Sequence, residues 1–324
     1  MASFAKATFD VASYLACRPT YPQKVYETIL AHHRSRGGRF DHLVDVGCGP
    51  GFVALSLSPH FKSTTALDPS KKMVDVGLQP SDPSRPRIEY KVGTAESLVE
   101  AGVKEADLVT AGQAAHWFDH KKTWAELSKV VRPGGTVAYI GYAELVFPSH
   151  PRLNPLFSHF SSKIIGAYWS QPGRSIVENL LDAVPFPVTP TTSPSSPGVG
   201  GDASGEHLLP LDQIDEPPSL QLDDSGWDPT TAIRIRSTPT KPWLMTRPMS
   251  LDQFEGYLRS ASAVHEYRQA HPEEKRGEGD GDVVDRFMVD IRNGLESEGM
   301  VDKDGKGKFE VGWPLVVMMI KKKP

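Results

Sequence analysis

The segment LVDVGCGPGF, residues 43–52, is a short apolar run that closes on three glycines at alternate positions, Gly47, Gly49 and Gly51. An apolar run of this length, bounded by glycine, reads as a buried strand of a parallel sheet. The glycines let the main chain adopt left-handed conformations and approach a bound ligand closely. Pro50 stands near the first turn of the helix predicted over PGFVALSLSPHF, residues 50–61. A strand, a glycine turn and a helix in succession are the start of a βαβ unit.

The pattern repeats outward from this point. STTALD ends at Asp68, IEYKVG at Gly93 and ADLVTAG at Gly112, and TVAYIGY follows the Pro133-Gly134-Gly135 turn. Between these strands lie SKKMVDVGLQ, with Ser70 as a candidate N-cap, and DHKKTWAELSKVV, with Asp119 as its cap. In the latter, Trp124, Leu127, Val130 and Val131 recur at helical spacing. Strands alternating with helices predict an α/β fold, a doubly wound and mostly parallel sheet of seven strands. AIRIRS (232–237) and KFEVGWPLVVMMI (308–320) supply the last two strands as an antiparallel pair. Helical patterns over 155–184, broken at Gln171-Pro172-Gly173, and over 251–271 and 283–297 form a helical cap. The expected organisation is residues 1–40 as an N-terminal flap with the first helices, 41–148 as a ligand-binding core, and 149–324 as the cap with the last strands. Within the last, residues 185–229 are dominated by Pro, Ser, Thr, Gly and Asp and have too little apolar surface to offset ordering entropy, so they read as a long mobile loop.

Composition excludes several classes. A net charge of −4 over 324 residues offers no polyanion-binding surface, so nucleic acid is not an expected partner. Two cysteines, Cys17 and Cys48, build neither a disulfide framework nor a cysteine-rich zinc site. His116 and His120 have a spacing that suits a metal, but no third ligand stands with them and no metal is expected. The N-terminal residues lack a secretory pattern, and the longest apolar run, 314–320, falls short of the ~20 residues needed to span a bilayer. A cytoplasmic protein with no membrane partner is the expectation, and Lys321, Lys322 and Lys323 read as a solvated end. Oligomeric state is left open.

Three details narrow the ligand. Phe52 stands where a dinucleotide fingerprint requires Gly or Ala, which disfavours a pyrophosphate cradle and a nicotinamide oxidoreductase. Asp45 sets a carboxylate beside the turn, and Asp68 ends the second strand roughly 20 residues on, where an acidic side chain accepts ribose hydroxyls. GTAES (93–97), AGQ (111–113) and VRPGG (131–135) then follow in order. Together these motifs resemble those of the class I S-adenosylmethionine-dependent methyltransferases, over residues 43–142. The resemblance implies S-adenosyl-L-methionine as cofactor, with the Gly47–Gly49–Gly51 turn against its methionine part and Asp68 on its ribose. It also implies that Ala95 and Glu96 flank adenine and that Asp45 and Gln113 belong to the cofactor set.

A closer resemblance extends along the chain. FDVASYLACRPTYP (9–22), AHWFD (115–119), GYAELVFPSHP (141–151), AYWSQPGRS (167–175) and LMTRPMSLDQFEGYLRSASAVHEY (244–267) are similar to fungal trans-aconitate methyltransferases and the cantharidin-inactivating methyltransferases. Those enzymes esterify a carboxylate of a small polyacid. Such an acceptor, with a pKa near 4, is ionised at neutral pH and needs no general base. Arginine suits its other carboxylates because the planar guanidinium binds them bidentately. Arg174 and Arg247 are the candidates, with Trp117, Tyr142, Trp169 and Gln171 as walls or donors. His116, after the fourth strand, is the candidate catalytic residue, donating to an acceptor carboxylate or acting as base toward a hydroxyl. Tyr14, Arg18 and Tyr21 are expected as a flap over the cofactor. Two alternatives stand beside this reading: an O- or C-methyltransferase of a secondary metabolite that uses His116 as base, and a cofactor-binding regulator without catalysis.

Overall fold

Strand β1 (His42–Val46) is buried from Leu43 onward, and the sheet is built outward from it on both sides. The computed structural model describes residues 18–188, 226–302 and 304–324. Tyr14 and residues 189–225 of the loop expected over 185–229 lie outside them.

β2 (Ser63–Asp68) and β4 (Ala106–Gly112) flank β1 in parallel, β3 (Ile88–Val92) pairs with β2, and β5 (Val131–Tyr142) pairs with β4. β8 (Phe309–Lys322) runs antiparallel to β5, and β6 (Trp227–Arg236) antiparallel to β8. The path β3-β2-β1-β4-β5-β8-β6 accounts for the seven strands expected. Among the described residues an eighth strand, β7 (Leu244–Met249), pairs with β8. Its LMTRPM sequence carries Pro248 and lacks an apolar alternation, so it suits a sheet edge, where a missing N–H is tolerated.

The chain divides into two units. The larger comprises residues 20–143, 175–243 and 314–324. It holds α1 (Gln23–Arg34), α2 (Phe52–Leu57), α3 (Lys71–Asp75) and α4 (His120–Val130) with most of the sheet. α3 is shorter than its sequence pattern because the chain turns off at Gly77, where a Cβ would meet the Tyr90 ring at 2.5 Å. Asp119 caps α4 by accepting from the Lys122 N–H, as its sequence predicts. β6 begins at Trp227, inside the segment expected to be loop. Trp227 is fully buried, packs edge-on against Trp124 at 5.2 Å and donates to Ser128 Oγ at 3.1 Å, while a bulge between Asp228 and Ile233 absorbs Pro229.

Lys323 is exposed as expected, but Lys321 and Lys322 are not a solvated end. Lys321 is 1% exposed and its Nζ donates to the His33 carbonyl at 2.6 Å. Lys322 Nζ donates to the carbonyls of Ser128 and Val131 at 2.5 and 2.8 Å, closing the C-terminal end of α4. Both ammonium groups thereby meet main-chain oxygens, and the His33 carbonyl accepts from the Gly38 N–H as well.

The smaller unit comprises residues 1–19, 144–174 and 244–313. Its helices are α5 (Asn154–His159), continued by a π-turn over Phe160–Ile164, then α7 (Leu251–Arg259), α8 (Ser262–Ala270) and α9 (Val283–Ser297), and α6 (Gly173–Glu178) starts at the edge of the second segment. Phe147, Phe157, Phe160, Phe254, Phe287 and Phe309 form its core, with Phe160 stacked on Phe287 at 4.2 Å. The single helix expected over 251–271 is two helices, because Ala261 is extended between them. The Ser260 carbonyl released there accepts from Arg18 at 3.2 Å. Asp282, fully buried, caps α9 through Val284 N and Asp285 N and is ion-paired with Arg259 at 2.7 Å.

Candidate active site

The turn after β1 takes the conformation its glycines permit. Gly47, Gly49 and Gly51 have φ of 63°, 52° and 95°. Two of them also face protein: a Cβ on Gly47 would stand 2.5 Å from that of Ala114, and one on Gly51 would stand 2.0 Å from Tyr90 Oη. Of the three, Gly49 opens to free space, so its α-carbon is the part of the turn that a ligand can approach.

Two carboxylates support this turn from behind and beside. Asp45 Oδ1 accepts from Thr110 Oγ1 at 2.8 Å and Oδ2 from the Ala54 N–H at 3.1 Å, so it ties β1 to β4 and to α2. It is buried, and burial pushes its carboxyl up to about 7. Asp68 Oδ2 accepts from Gly49 N at 2.9 Å and Oδ1 from Ser70 N at 2.8 Å. Burial raises its pKa, opposed by those two N–H donors. Each oxygen of Asp68 keeps a second lone pair for a ligand.

The carboxyl edge of β4 and β5 completes the group. Gln113 has φ of 51°, donates from Nε2 to the Tyr142 carbonyl and accepts at Oε1 from the Tyr142 N–H, both at 3.0 Å. The Tyr142 ring lies 6.0 Å from that of Tyr21, and Tyr21 packs on Gly112, where a Cβ would meet its ring at 3.3 Å. A 3₁₀ turn over Ala115–Trp117 carries His116, whose ring lies 4.8 Å from the half-exposed Trp117. His116 Nδ1 is buried with no hydrogen-bond partner among the described residues, and burial lowers the ring's pKa to about 4. The imidazole is therefore neutral at physiological pH. Ala95 is buried, and Glu96 accepts from the Asp119 N–H at 2.9 Å at the entry to α4.

Asp45, the three glycines, Asp68, Ala95, Glu96, Gln113, Tyr21, His116, Trp117 and Tyr142 thus belong to the larger unit, at or beside the carboxyl ends of β1 to β5. Arg18, Trp169, Gln171, Arg174 and Arg247 belong to the smaller unit. There Arg174 stacks on Trp169 at 4.1 Å, is ion-paired with Glu144 and donates to Ser161 Oγ at 2.9 Å. Its guanidinium already holds a protein carboxylate. Gln171 is exposed beside a cis bond to Pro172, Arg18 lies over the Tyr257 ring at 5.4 Å, and Arg247 lies mid-strand in β7.

Three participants escaped the sequence reading. Thr110 is a hydroxyl within the apolar LVTAG end of the ADLVTAG strand, and that contrast was its signal. Tyr90 buttresses Gly51 and donates to the Leu78 carbonyl at 2.7 Å. Glu144 pairs with Arg174 across a sequence gap that no local pattern reveals.

Residues 44–139 match a family model described as a methyltransferase domain. The chain is 28% identical over 181 residues to the Saccharomyces cerevisiae protein named "Probable S-adenosylmethionine-dependent methyltransferase CRG1", an alignment covering 55% of this chain and 61% of that protein. It is 29% identical to methyltransferase cfoB of Aspergillus candidus, covering 54% of this chain and 59% of that one. The chain thus spans about three fifths of the length of these relatives. A solved Anaeromyxobacter dehalogenans protein described as a "Putative Type II Methyltransferase" superposes with a TM-score of 0.62 at 22% identity, covering 95% of this chain and 99% of that one, a likeness of fold.

Proposed function

Residues 44–139 form a class I S-adenosylmethionine-dependent methyltransferase domain, and from that premise we propose that the chain methylates a carboxylate of a small polycarboxylic acid, yielding a methyl ester. S-adenosylmethionine supplies, when bound, a methyl group made electrophilic by its sulfonium. The residues present fit that cofactor: the open face of Gly49 admits a ligand against the main chain, and Asp68 keeps acceptor capacity beside it. In this reading Gly47, Gly49, Gly51, Asp68, Ala95 and Glu96 hold the cofactor. Asp45 acts through the main chain, by fixing the turn to α2 and β4.

The neutral His116 carries the choice of acceptor. An imidazole whose conjugate acid has a pKa of about 4 is a weak proton acceptor, mismatched to a hydroxyl or a carbon acid. A carboxylate has no proton to lose, so it needs orientation and exclusion of water rather than a base. The His116 ring offers it one N–H donor.

Methyl transfer from labelled S-adenosylmethionine to a panel of di- and tricarboxylic acids, trans-aconitate included, tests the reading. A base-labile methyl on one of them is the expected result. Label that enters only phenols, alcohols or carbon acids overturns the carboxylate acceptor. Cofactor binding without transfer to any acceptor favours a non-catalytic regulator.

A further inference from the structure

β4 and β5 are paired in register as far as Gly112 and Ile140, and the Gln113 N–H still donates to the Ile140 carbonyl at 2.8 Å. One residue later the main chains part. Gln113 takes a left-handed φ of 51°, a conformation in which the Cβ of a non-glycine residue crowds its own main chain. The chain leaves the sheet there and turns into the 3₁₀ segment that carries His116 and Trp117. Tyr142 N–H and C=O, which a continued β4 would have paired, are met instead by the Gln113 side chain. A carboxamide has the donor and acceptor spacing of a peptide group, so the side chain replaces the missing strand. Gly141 makes room for it, since a Cβ there would lie 3.3 Å from Gln113 Oε1.

We propose that Gln113 is a positioning residue: its carboxamide clamps the Tyr142 main chain while its left-handed backbone delivers His116 and Trp117 to the carboxyl edge of the sheet. It acts through Tyr142 and the 3₁₀ turn rather than as a ligand to the cofactor, which departs from the cofactor role that the family resemblance implies. The inference rests on the methyltransferase reading for its effect on turnover, but the clamp itself is a property of the fold.

Gln113→Glu and Gln113→Leu test it in the full chain. When protonated, the carboxyl introduced by Gln113→Glu reproduces the clamp, with O–H donating to the Tyr142 carbonyl and C=O accepting from its N–H. When ionised, it loses the donor and sets a charge against that carbonyl. Burial raises a carboxyl above its reference pKa of about 4.3, so the switch falls in an accessible range. Gln113→Glu is expected to approach wild-type kcat at about pH 5.5 and to fall on the order of 10-fold or more below it at about pH 8. Gln113→Leu is expected to be low at both. S-adenosylhomocysteine affinity, measured by calorimetry, is expected to stay within about 3-fold of wild type in all of them, less than the ~10-fold loss that removing a direct hydrogen bond brings.

A Gln113→Glu profile parallel to wild type overturns the proposal, and so does a loss of S-adenosylhomocysteine affinity that tracks the loss of kcat. The melting temperature difference between Gln113→Glu and wild type, expected to widen from acid to alkaline pH, reads the clamp without any acceptor. A wild-type chain that methylates nothing overturns the functional reading and the positioning role with it. A flat melting difference overturns the clamp whatever the activity.

Discussion

Asp45 and Asp68 are both buried carboxylates beside the same turn, yet their hydrogen bonds give them different work. Asp45 lies within β1 at 1% exposure, with its two oxygens tied to Thr110 and Ala54, whereas Asp68 ends β2 at 8% exposure, where the further lone pairs of its oxygens can be reached by a ligand. Asp68→Ala is therefore expected to weaken S-adenosylhomocysteine binding on the order of 10- to 100-fold, as calorimetry would measure. Asp45→Asn is expected to leave affinity within a few-fold and to cost about 1–3 kcal/mol of stability in urea, because the carboxamide has one acceptor oxygen for the two donors, Ala54 N–H and Thr110 O–H, and one of those bonds is lost or reversed. His116→Asn is expected to reduce turnover with a carboxylate acceptor without abolishing it, since no proton must be removed. At this scale the sequence was legible where residue type alone decides: three glycines at alternate positions after a strand all take positive φ. It was not legible where partners decide. Nothing in the string around Asp45 distinguishes a ligand from a tie between strand and helix, and nothing around Arg174 announces Glu144.

The elements divide along the same line. β1 declared itself because a strand covered on both faces is a run of apolar residues, and β2 and β4, which carry Thr64, Thr65 and Asp107 among their apolar residues, still end where STTALD and ADLVTAG end. β7 did not, since an edge strand with alternating exposure can carry Thr246, Arg247 and Pro248 and resemble a loop. The division of α7 from α8 was hidden for another reason: no Gly or Pro marks Ser260 and Ala261, and the break is held by tertiary bonds. A helix start offers the sharpest test here. Asp282→Ala removes the cap of α9 and leaves Arg259 with less of its countercharge, so a loss of about 3–5 kcal/mol is expected from denaturant unfolding. Burial opposes ionisation of Asp282, but Arg259 and the two capped N–H groups outweigh it and lower the pKa. Its stabilisation is therefore present above the ordinary aspartate pKa and is lost as pH falls through the lowered one.

Across the whole molecule, buried histidines set the response to acid. Burial lowers His32 to about 3 and His33, His116 and His120 to about 4, from an ordinary value of 6.5. In that window the unfolded chain binds more protons at these sites than the folded one, so stability falls as pH drops from 6.5 toward 4. Asp45, raised to about 7, and Asp68, also raised by burial, work in the opposite sense across this window, and four histidines outweigh the two carboxyls. The urea midpoint is expected to fall steeply below pH ~6.5, and His32→Leu to flatten that fall by about one proton. The βαβ alternation made the sheet legible at this scale, while the late return of β8 to β5 was legible only as an antiparallel pair without register. That return has a practical consequence. β5 is paired with β8 from Thr136 to Tyr142, through a partner strand drawn from the far end of the chain. A fragment cut to the stretch shared with other methyltransferases would bare this strand, TVAYIGY, as an apolar, uncharged and unguarded rim. Such a fragment is expected to self-associate into β-rich aggregates that scatter light and bind thioflavin, and adding the residues 309–322 peptide in trans is expected to suppress them.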